Sequence, residues 1–391
     1  MSLCLAGRTM AALLALGLLG ACSSRPEPGL MVPESTTGTP GIPLEIFAIA
    51  TRKPSADPGL RFSGERNDVP QFARLALSIP KNRTIGEIQW PSGEPDPGRH
   101  FQLRAFEPLD RPGFTKRLRN RLAAQPDRHV LLFVHGYNTR FDEATFRFAQ
   151  IVQDSGAAVT PVLFSWASWG SARAYPYDRE SAALARDGLE AALDALAASP
   201  EVAQVTVLAH SMGGWLTLET LRQMVVRRKG INPKIRDVML ASPDVDIDVA
   251  RAHATILRSA RTRPSIVLFT STDDKALSAS RWLLGSKARL GAINPTQEPY
   301  RSGLERAGVM VVDLSGVSSD DPLNHGKFAQ SPAIVQLIGR RLAAGQELNP
   351  RDGIENPVAA IIGGTTRAAE LIVTIPTQIS EPLPPGGVLV E

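Results

Sequence analysis

The sequence predicts an α/β protein with a mostly parallel, doubly wound sheet and antiparallel strands at its N-terminus. Two observations carry that expectation. Apolar runs of six to eight residues recur from residue 130 onward: VLLFVH (130–135), VTPVLFSW (159–166), VTVLAH (205–210), IRDVMLAS (235–242), SIVLFTS (265–271) and VMVVDL (309–314). Stretches with helical periodicity separate them, at about 142–154, 178–198, 213–228, 246–258, 276–284 and 332–344. Strands that are apolar on both faces need cover on both sides, and helices in the connections supply it. Right-handed crossovers then wind the layers in both directions from the middle of the sheet. Upstream, LEIFAIATR (44–52) and ARLALSIP (73–80), divided by a Pro/Gly-rich loop, read as antiparallel partners that open the sheet.

A chain of 391 residues has room for two or three units of about 150 residues. The uninterrupted strand-helix rhythm instead favours one enlarged domain over 44–344, preceded by a signal (1–21) and a flexible tether (22–43) and followed by a C-terminal extension (345–391). The charge balance is 43 Lys+Arg against 39 Asp+Glu, a net +4. So small a remainder gives no reason to expect nucleic acid as a partner. No HExxH, paired CxxC or G-x-x-x-x-G-K-[ST] pattern occurs, so metal and nucleotide cofactors have no support and none is expected.

The two cysteines, Cys4 and Cys22, both lie at the extreme N-terminus. Arg8 supplies a positive start, Met10–Leu19 a short apolar run, and Leu19-Gly20-Ala21-Cys22 a small-residue cleavage site. The run is too short for a bilayer core of about 30 Å. Leu-Gly-Ala-Cys resembles a bacterial lipobox, which implies cleavage before Cys22, a diacylglyceryl thioether on its sulfur and acylation of the new terminus. Several chains make a stable anchor where one does not. Ser23 after the cysteine resembles outer-membrane sorting. The expected location is thus the bacterial cell envelope, with the protein lipid-anchored and facing the periplasm from the outer membrane. Residues 23–43 are rich in Pro, Gly, Ser and Thr and read as a tether that stands the body off the membrane.

Chemistry gathers at the ends of the predicted strands. Ala209-His210-Ser211-Met212-Gly213 lies between a strand and a helix and matches G-x-S-x-G with Ala in first place. Such a turn needs small residues on either side of the serine, because its backbone bends sharply. The alternative is a plain Ser N-cap. A second turn, His135-Gly136-Tyr137-Asn138, follows the VLLFV strand. An oxyanion hole requires two backbone N–H donors. Met212 would give one and a residue of the His-Gly loop, Tyr137 first, the other. His135 is then a brace for the loop. A serine nucleophile also needs a base and an orienting acid. Of six histidines, His325 alone sits in a polar loop directly after the last strand. The acid belongs on a strand end between Ser211 and His325, where Asp273 and Asp274 are adjacent and Asp244 and Asp246 are rivals. Trp166, Trp169, Tyr175 and Tyr177 either line an acyl pocket or lid or close a core.

Taken together, HGYN, FSWASWG, AHSMGG, SPDVD, STDDKAL, RLG (289–291) and NHGKF resemble a family of bacterial α/β-hydrolases of unassigned function within the esterase/lipase superfamily, here in lipoprotein form. The resemblance runs from about Ile46 to Ala344. It implies the α/β-hydrolase fold, and it places the acid at S-x-x-D-x-A-L, which is Asp274 in this chain. Ser211, Asp274 and His325 become the expected catalytic residues, with Tyr137 and Met212 forming the oxyanion hole. The expected activity is that of a carboxylic ester hydrolase acting through an acyl-enzyme on an ester or lipid substrate. The other reading is a catalytically silent envelope lipoprotein that binds or scaffolds.

Overall fold

A computed structural model describes residues 25–33, 41–91, 96–285, 287–343 and 373–374. Its strands are β1 (Ile42–Pro54), β2 (Phe62–Ile79), β3 (Gln102–Leu109), β4 (His129–Val134), β5 (Thr160–Ser165), β6 (Gln204–His210), β7 (Ile235–Ala241), β8 (Ser265–Thr270), β9 (Val309–Asp313) and β10 (Val373–Thr374). They form a single sheet in the order β3-β2-β1-β5-β4-β6-β7-β8-β9-β10. From β1 across to β9 every neighbouring pair is parallel. β2 runs antiparallel to β1, in the register Leu44↔Leu77 and Ala48↔Ala73, and β3 antiparallel to β2. The expected fold class, a mostly parallel doubly wound sheet with N-terminal antiparallel strands, is the one found.

The helices are α1 (Arg111–Ala123), α2 (Phe141–Ser155), α3 (Tyr175–Leu184), α4 (Arg186–Ala198), α5 (Met212–Arg228), α6 (Ile247–Arg258), α7 (Lys275–Leu283), α8 (Tyr300–Ala307), α9 (Lys327–Gln330) and α10 (Pro332–Ala343). Two apolar layers hold them. Alternate residues of the central strands divide between the layers: Val130, Leu132 and Val134 enter one, Leu131 and Phe133 the other. In β4 and β5 every residue is buried, which is why those runs lack polar alternation.

The structure differs from the sequence reading at several elements. The stretch read as one helix over 178–198 is two, meeting at Ala185. β3 and α1 were not expected. β3 is largely half-exposed and α1 buries only Phe114, Leu118 and Leu122, so neither carries a strong apolar signal. β2 begins eleven residues before the expected Ala73, through the polar segment FSGERNDVPQF, because this outer stretch pairs with β1 across irregular register at Arg52. The expected tether is also corrected in part. Residues 25–33 lie against the body: Met31 is fully buried, its N–H donates to the Gly59 carbonyl, and Arg61 donates to the Met31 carbonyl. The signal and Cys22 lie outside the described residues, as does the C-terminal extension apart from β10, which adds to β9. Among the described residues no helix is long and apolar enough to cross a membrane.

Phe164 lies at the centre of the sheet with no exposed surface. Phe164→Ala should therefore cost about 3–5 kcal/mol in urea denaturation. Trp282→Ala, at a side chain 72% exposed, should stay within about 0.5 kcal/mol of the parent.

Candidate active site

The chain leaves β4 toward β5 on one side and returns to β6 on the other, so a crevice opens beyond the carboxyl ends of β4 and β6. Both sequence turns fall there. Ser211 follows β6 with φ 53° and ψ −121°, a conformation that side chains rarely adopt, and begins α5. Its N–H donates to the Ala241 carbonyl, and its own carbonyl accepts from Gly214 and Asp244. Two glycines permit this turn. A Cβ on Gly213 would stand 2.3 Å from the His135 carbonyl oxygen, and one on Gly136 would stand 3.0 Å from Ser211 Cβ. A larger residue at Gly213 would overlap backbone, and one at Gly136 would push against the serine turn.

Met212 N–H and Tyr137 N–H, the expected oxyanion donors, are on these two facing turns. Among the hydrogen bonds of the described residues neither amide donates to the protein. Two amides without acceptors, on turns that meet at Gly136 and Ser211, suit a developing oxyanion.

His325 arrives from the loop after β9. Its Nδ1 lies 2.7 Å from Asp274 Oδ2, and Asp274 is fully buried. The other Asp274 oxygen accepts from Leu277 N–H at 2.9 Å and caps α7, which fixes the carboxylate in place. The His325 and Gly326 amides donate to Asp321 at 2.7 and 2.8 Å. The His210 ring lies 4.6 Å from that of His325 and 4.7 Å from that of Phe328, and its Nε2 meets the His325 carbonyl at 3.3 Å. Burial works against a charge on His325, but the Asp274 carboxylate and its hydrogen bond prevail and raise its pKa above the ordinary 6.5. Burial, with His325 nearby, drives His210 well below that value.

The neighbouring carboxylates do other work. Asp273 faces Lys327, whose buried ammonium lies 2.7 and 2.8 Å from its two oxygens and also donates to Ser271 and the Leu314 carbonyl. Burial opposes that carboxylate's charge, but the Lys327 and Ser271 hydrogen bonds outweigh it and hold Asp273 below the usual range. Asp244 accepts from Tyr175 at 2.7 Å and from Ser280 at 2.8 Å and pairs with buried Arg289 at 3.3 Å. Asp246 caps α6. Of the four candidate acids, Asp274 is the one that meets His325.

His135 is a brace, as expected. It is buried, stacks on Trp166 at 5.0 Å, and Trp166 Nε1 donates to its carbonyl at 2.9 Å. Burial, with Arg52 close by, lowers its pKa to about 3, so it remains uncharged. Trp166 closes a core, Tyr175 packs edge-on against Tyr137 at 5.1 Å, and Trp169 meets Tyr177 at the surface.

Three residues that support the His135–Asn138 turn carried no sequence signal for that role. Arg52, at the end of β1, is buried and donates to Ser165, to the Ser168 carbonyl and to the Thr139 carbonyl, each at 2.8 Å. Asp178 accepts from Asn138 N–H at 3.1 Å, Ser168 at 2.6 Å and Trp169 N–H at 2.7 Å. Arg25 donates to the Asn138 side chain and carbonyl at 3.0 and 3.1 Å. Each is remote in sequence from the turn it holds.

Sheet order, serine turn, facing glycine turn and His-Asp pair together define an α/β-hydrolase. Residues 111–341 match the family described as alpha/beta hydrolase of unknown function (DUF900), and the chain belongs to that family. No curated protein matches it. Solved structures similar to it include a fungal esterase from Rhizomucor miehei, at 14% identity over 78% of this chain and 85% of that one, with a TM-score of 0.39. A hyperthermophilic esterase from the archaeon Pyrobaculum calidifontis shares 14% identity over 70% and 81%, with a TM-score of 0.35. Esterase B of Lactobacillus rhamnosis, in a form inhibited by a tributyrin phosphonate, shares 11% over 86% and 93%, with a TM-score of 0.38.

An NMR titration of the six histidines should find His325 titrating above 6.5 and His135 and His210 uncharged throughout the neutral range. Asp274→Asn should bring His325 down, because burial then meets only the more weakly acting Asp244 and Asp321 carboxylates. Gly213→Ala should cost about 1–3 kcal/mol in chemical denaturation, whereas Ser211→Ala, which keeps the Cβ, should change stability by less than about 1 kcal/mol.

Proposed function

We propose that the protein is a serine hydrolase that cleaves carboxylic esters through an acyl-enzyme and is held in the bacterial envelope by acylation of Cys22. The observation that carries the catalytic part is the 2.7 Å contact between His325 Nδ1 and buried Asp274, with the His325 ring 4.6 Å from that of His210, the residue before a serine held at positive φ. In this reading Ser211 Oγ attacks the acyl carbonyl and His325 takes its proton through Nε2. Asp274 keeps Nδ1–H directed at itself, so that Nε2 is the basic nitrogen, and it stabilises the imidazolium that forms. The Met212 and Tyr137 amides receive the negative charge of the tetrahedral intermediate. His325 then returns the proton to the leaving alkoxide. Water repeats the sequence on the acyl-enzyme, releasing the acid and restoring Ser211.

The anchor rests on the Leu19–Cys22 motif and on the absence of any later cysteine. Location at the outer membrane, facing the periplasm, follows from Ser23 in the same reading.

A fluorophosphonate probe should label the protein and Ser211→Ala should not be labelled. The same pair is compared on p-nitrophenyl esters of short and long acyl chains. Turnover that disappears in Ser211→Ala supports the reading, and labelling that persists in the variant sinks the assignment of the nucleophile. A folded parent that neither labels nor turns over any ester favours a silent scaffold. The acid limb of kcat/KM should lie above pH 6.5, since His325 must lose its proton to act as base and its pKa is raised. Asp274→Asn should move that limb to lower pH and reduce kcat by on the order of 10³–10⁴-fold. Asp273→Asn should leave the limb in place and instead cost about 1–3 kcal/mol of stability by unpairing Lys327.

A further inference from the structure

We infer that the carboxyl edge of the sheet, where the catalytic crevice opens, is a membrane-docking face held against the bilayer by a strap that Arg25 latches to the oxyanion turn. The inference rests on the Cys22-anchor reading above and adds the orientation that the anchor imposes.

The first observation is the strap. Arg25 Nε and Nη2 each lie 2.6 Å from one oxygen of Glu143, a bidentate pair. Its Nη1 donates to the Gly170 carbonyl at 2.8 Å and to Asn138 Oδ1 at 3.0 Å, and Nη2 also reaches the Asn138 carbonyl. Arg140 donates to the Pro26 carbonyl at 2.8 Å, and Met31 is buried beside Gly59. Residues 25–31 are thus fastened at both ends to loops at the carboxyl edge. Cys22 is three residues before Arg25, so the chain between them can span at most about 11 Å. An acyl anchor on Cys22 cannot let the oxyanion turn stand several nanometres from the lipid.

The second observation is the surface itself. Among the described residues nine large apolar side chains are exposed, and five of them, Val32, Trp169, Trp282, Leu283 and Leu284, belong to loops or helices that rise from this edge. Val32 follows the strap's buried Met31, and Trp169 adjoins Gly170, which binds Arg25. α7 leaves the edge at Asp274, and the chain returns to it at Gly291, which exchanges backbone hydrogen bonds with Pro243 and Ser271. Trp282, Leu283 and Leu284 stand at the far end of that excursion. Arg173 and Arg281, both exposed, lie close in sequence to Trp169 and Trp282. Tryptophan and leucine interspersed with arginine suit a headgroup layer, where the rings and aliphatic chains enter the acyl boundary and the guanidinium groups meet lipid phosphates. An isolated exposed apolar residue needs no explanation, but this grouping beside an anchor does.

Because Cys22 is the only cysteine left after cleavage and its sulfur would be acylated, one introduced cysteine is a unique label site. Nitroxide is attached at Trp169→Cys, Trp282→Cys or Asn120→Cys in the acylated full-length protein, reconstituted in vesicles of phosphatidylethanolamine and phosphatidylglycerol. Asn120 is on α1, whose Arg119 pairs with Glu201 ahead of β6, at the opposite edge of the sheet. Labels at 169 and 282 should lose accessibility to a water-soluble nickel chelate and gain it to oxygen, while the label at 120 stays aqueous. Arg25→Ala should restore nickel access at 169. Circular dichroism checks that each labelled protein is folded, and mass spectrometry of the N-terminal peptide checks acylation. An acylated, folded protein with all three labels equally aqueous overturns the inference and leaves the anchor reading standing. A mature chain without acyl groups overturns both. Ester turnover is read separately and decides neither.

Discussion

The site depends on two strand-end turns packed so closely that a Cβ at either glycine would crowd the other turn. Gly213 lies under the His135 carbonyl and Gly136 against His210 and Ser211. That contact sets the position of Ser211 relative to the Met212 and Tyr137 amides, and on the Gly213 side it is made to the Val134 and His135 carbonyls, which cannot shift without displacing β4. The strain at Ser211 persists because the surrounding structure fixes it. The Ser211 N–H and carbonyl are both engaged by the β7 end and its following loop, and α5 starts at once. Adjacent parallel strands buried on both faces give this arrangement its rigidity.

Around that contact, charge is placed by pairing and burial. Four acidic residues stand near the strand ends after β7 and β8, and each has a distinct partner: Asp274 meets His325, Asp273 meets Lys327, Asp244 meets Tyr175, Ser280 and Arg289, and Asp246 caps a helix. His325 ends a loop and Lys327, two residues on, opens α9, while Asp273 and Asp274 are adjacent on the turn after β8. A hydrogen bond to Asp274 and an ion pair to Asp273 therefore clamp the same two segments, the first raising the His325 pKa and the second holding that segment in register. The turn after β4 is held in a similar way by Arg52, Asp178 and Arg25, which satisfy its carbonyls and amides. A buried turn rich in polar backbone needs such partners, since each unmet group would cost about 1–3 kcal/mol.

The N-terminal segment joins these supports. Proline, glycine, serine and threonine made it read as a tether, and composition is a fair guide when a segment has no apolar period. It could not reveal that Arg25 finds a bidentate carboxylate on α2 and three oxygens on two loops. One side chain turns the start of a spacer into part of the wall of the site.

By itself the sequence determined the order of the parallel strands from β4 to β9, because strands buried on both faces must be written as continuous apolar runs. It also determined the serine turn and the glycine turn, because steric crowding leaves few residue types for those positions. Family resemblance then singled out Asp274 from its neighbours. Other features were decided only when distant segments met. Ser211 and His325 are separated by more than a hundred residues, and Arg52 and Asp178 reach the turn after β4 from opposite sides in sequence. β3 and α1 carry too little buried apolar surface to announce themselves, and the break at Ala185 interrupts a stretch whose periodicity reads as continuous. Local pattern records which face of an element is buried. Which side chain then meets which carboxylate is set by the sheet order, and that exists only in the folded chain.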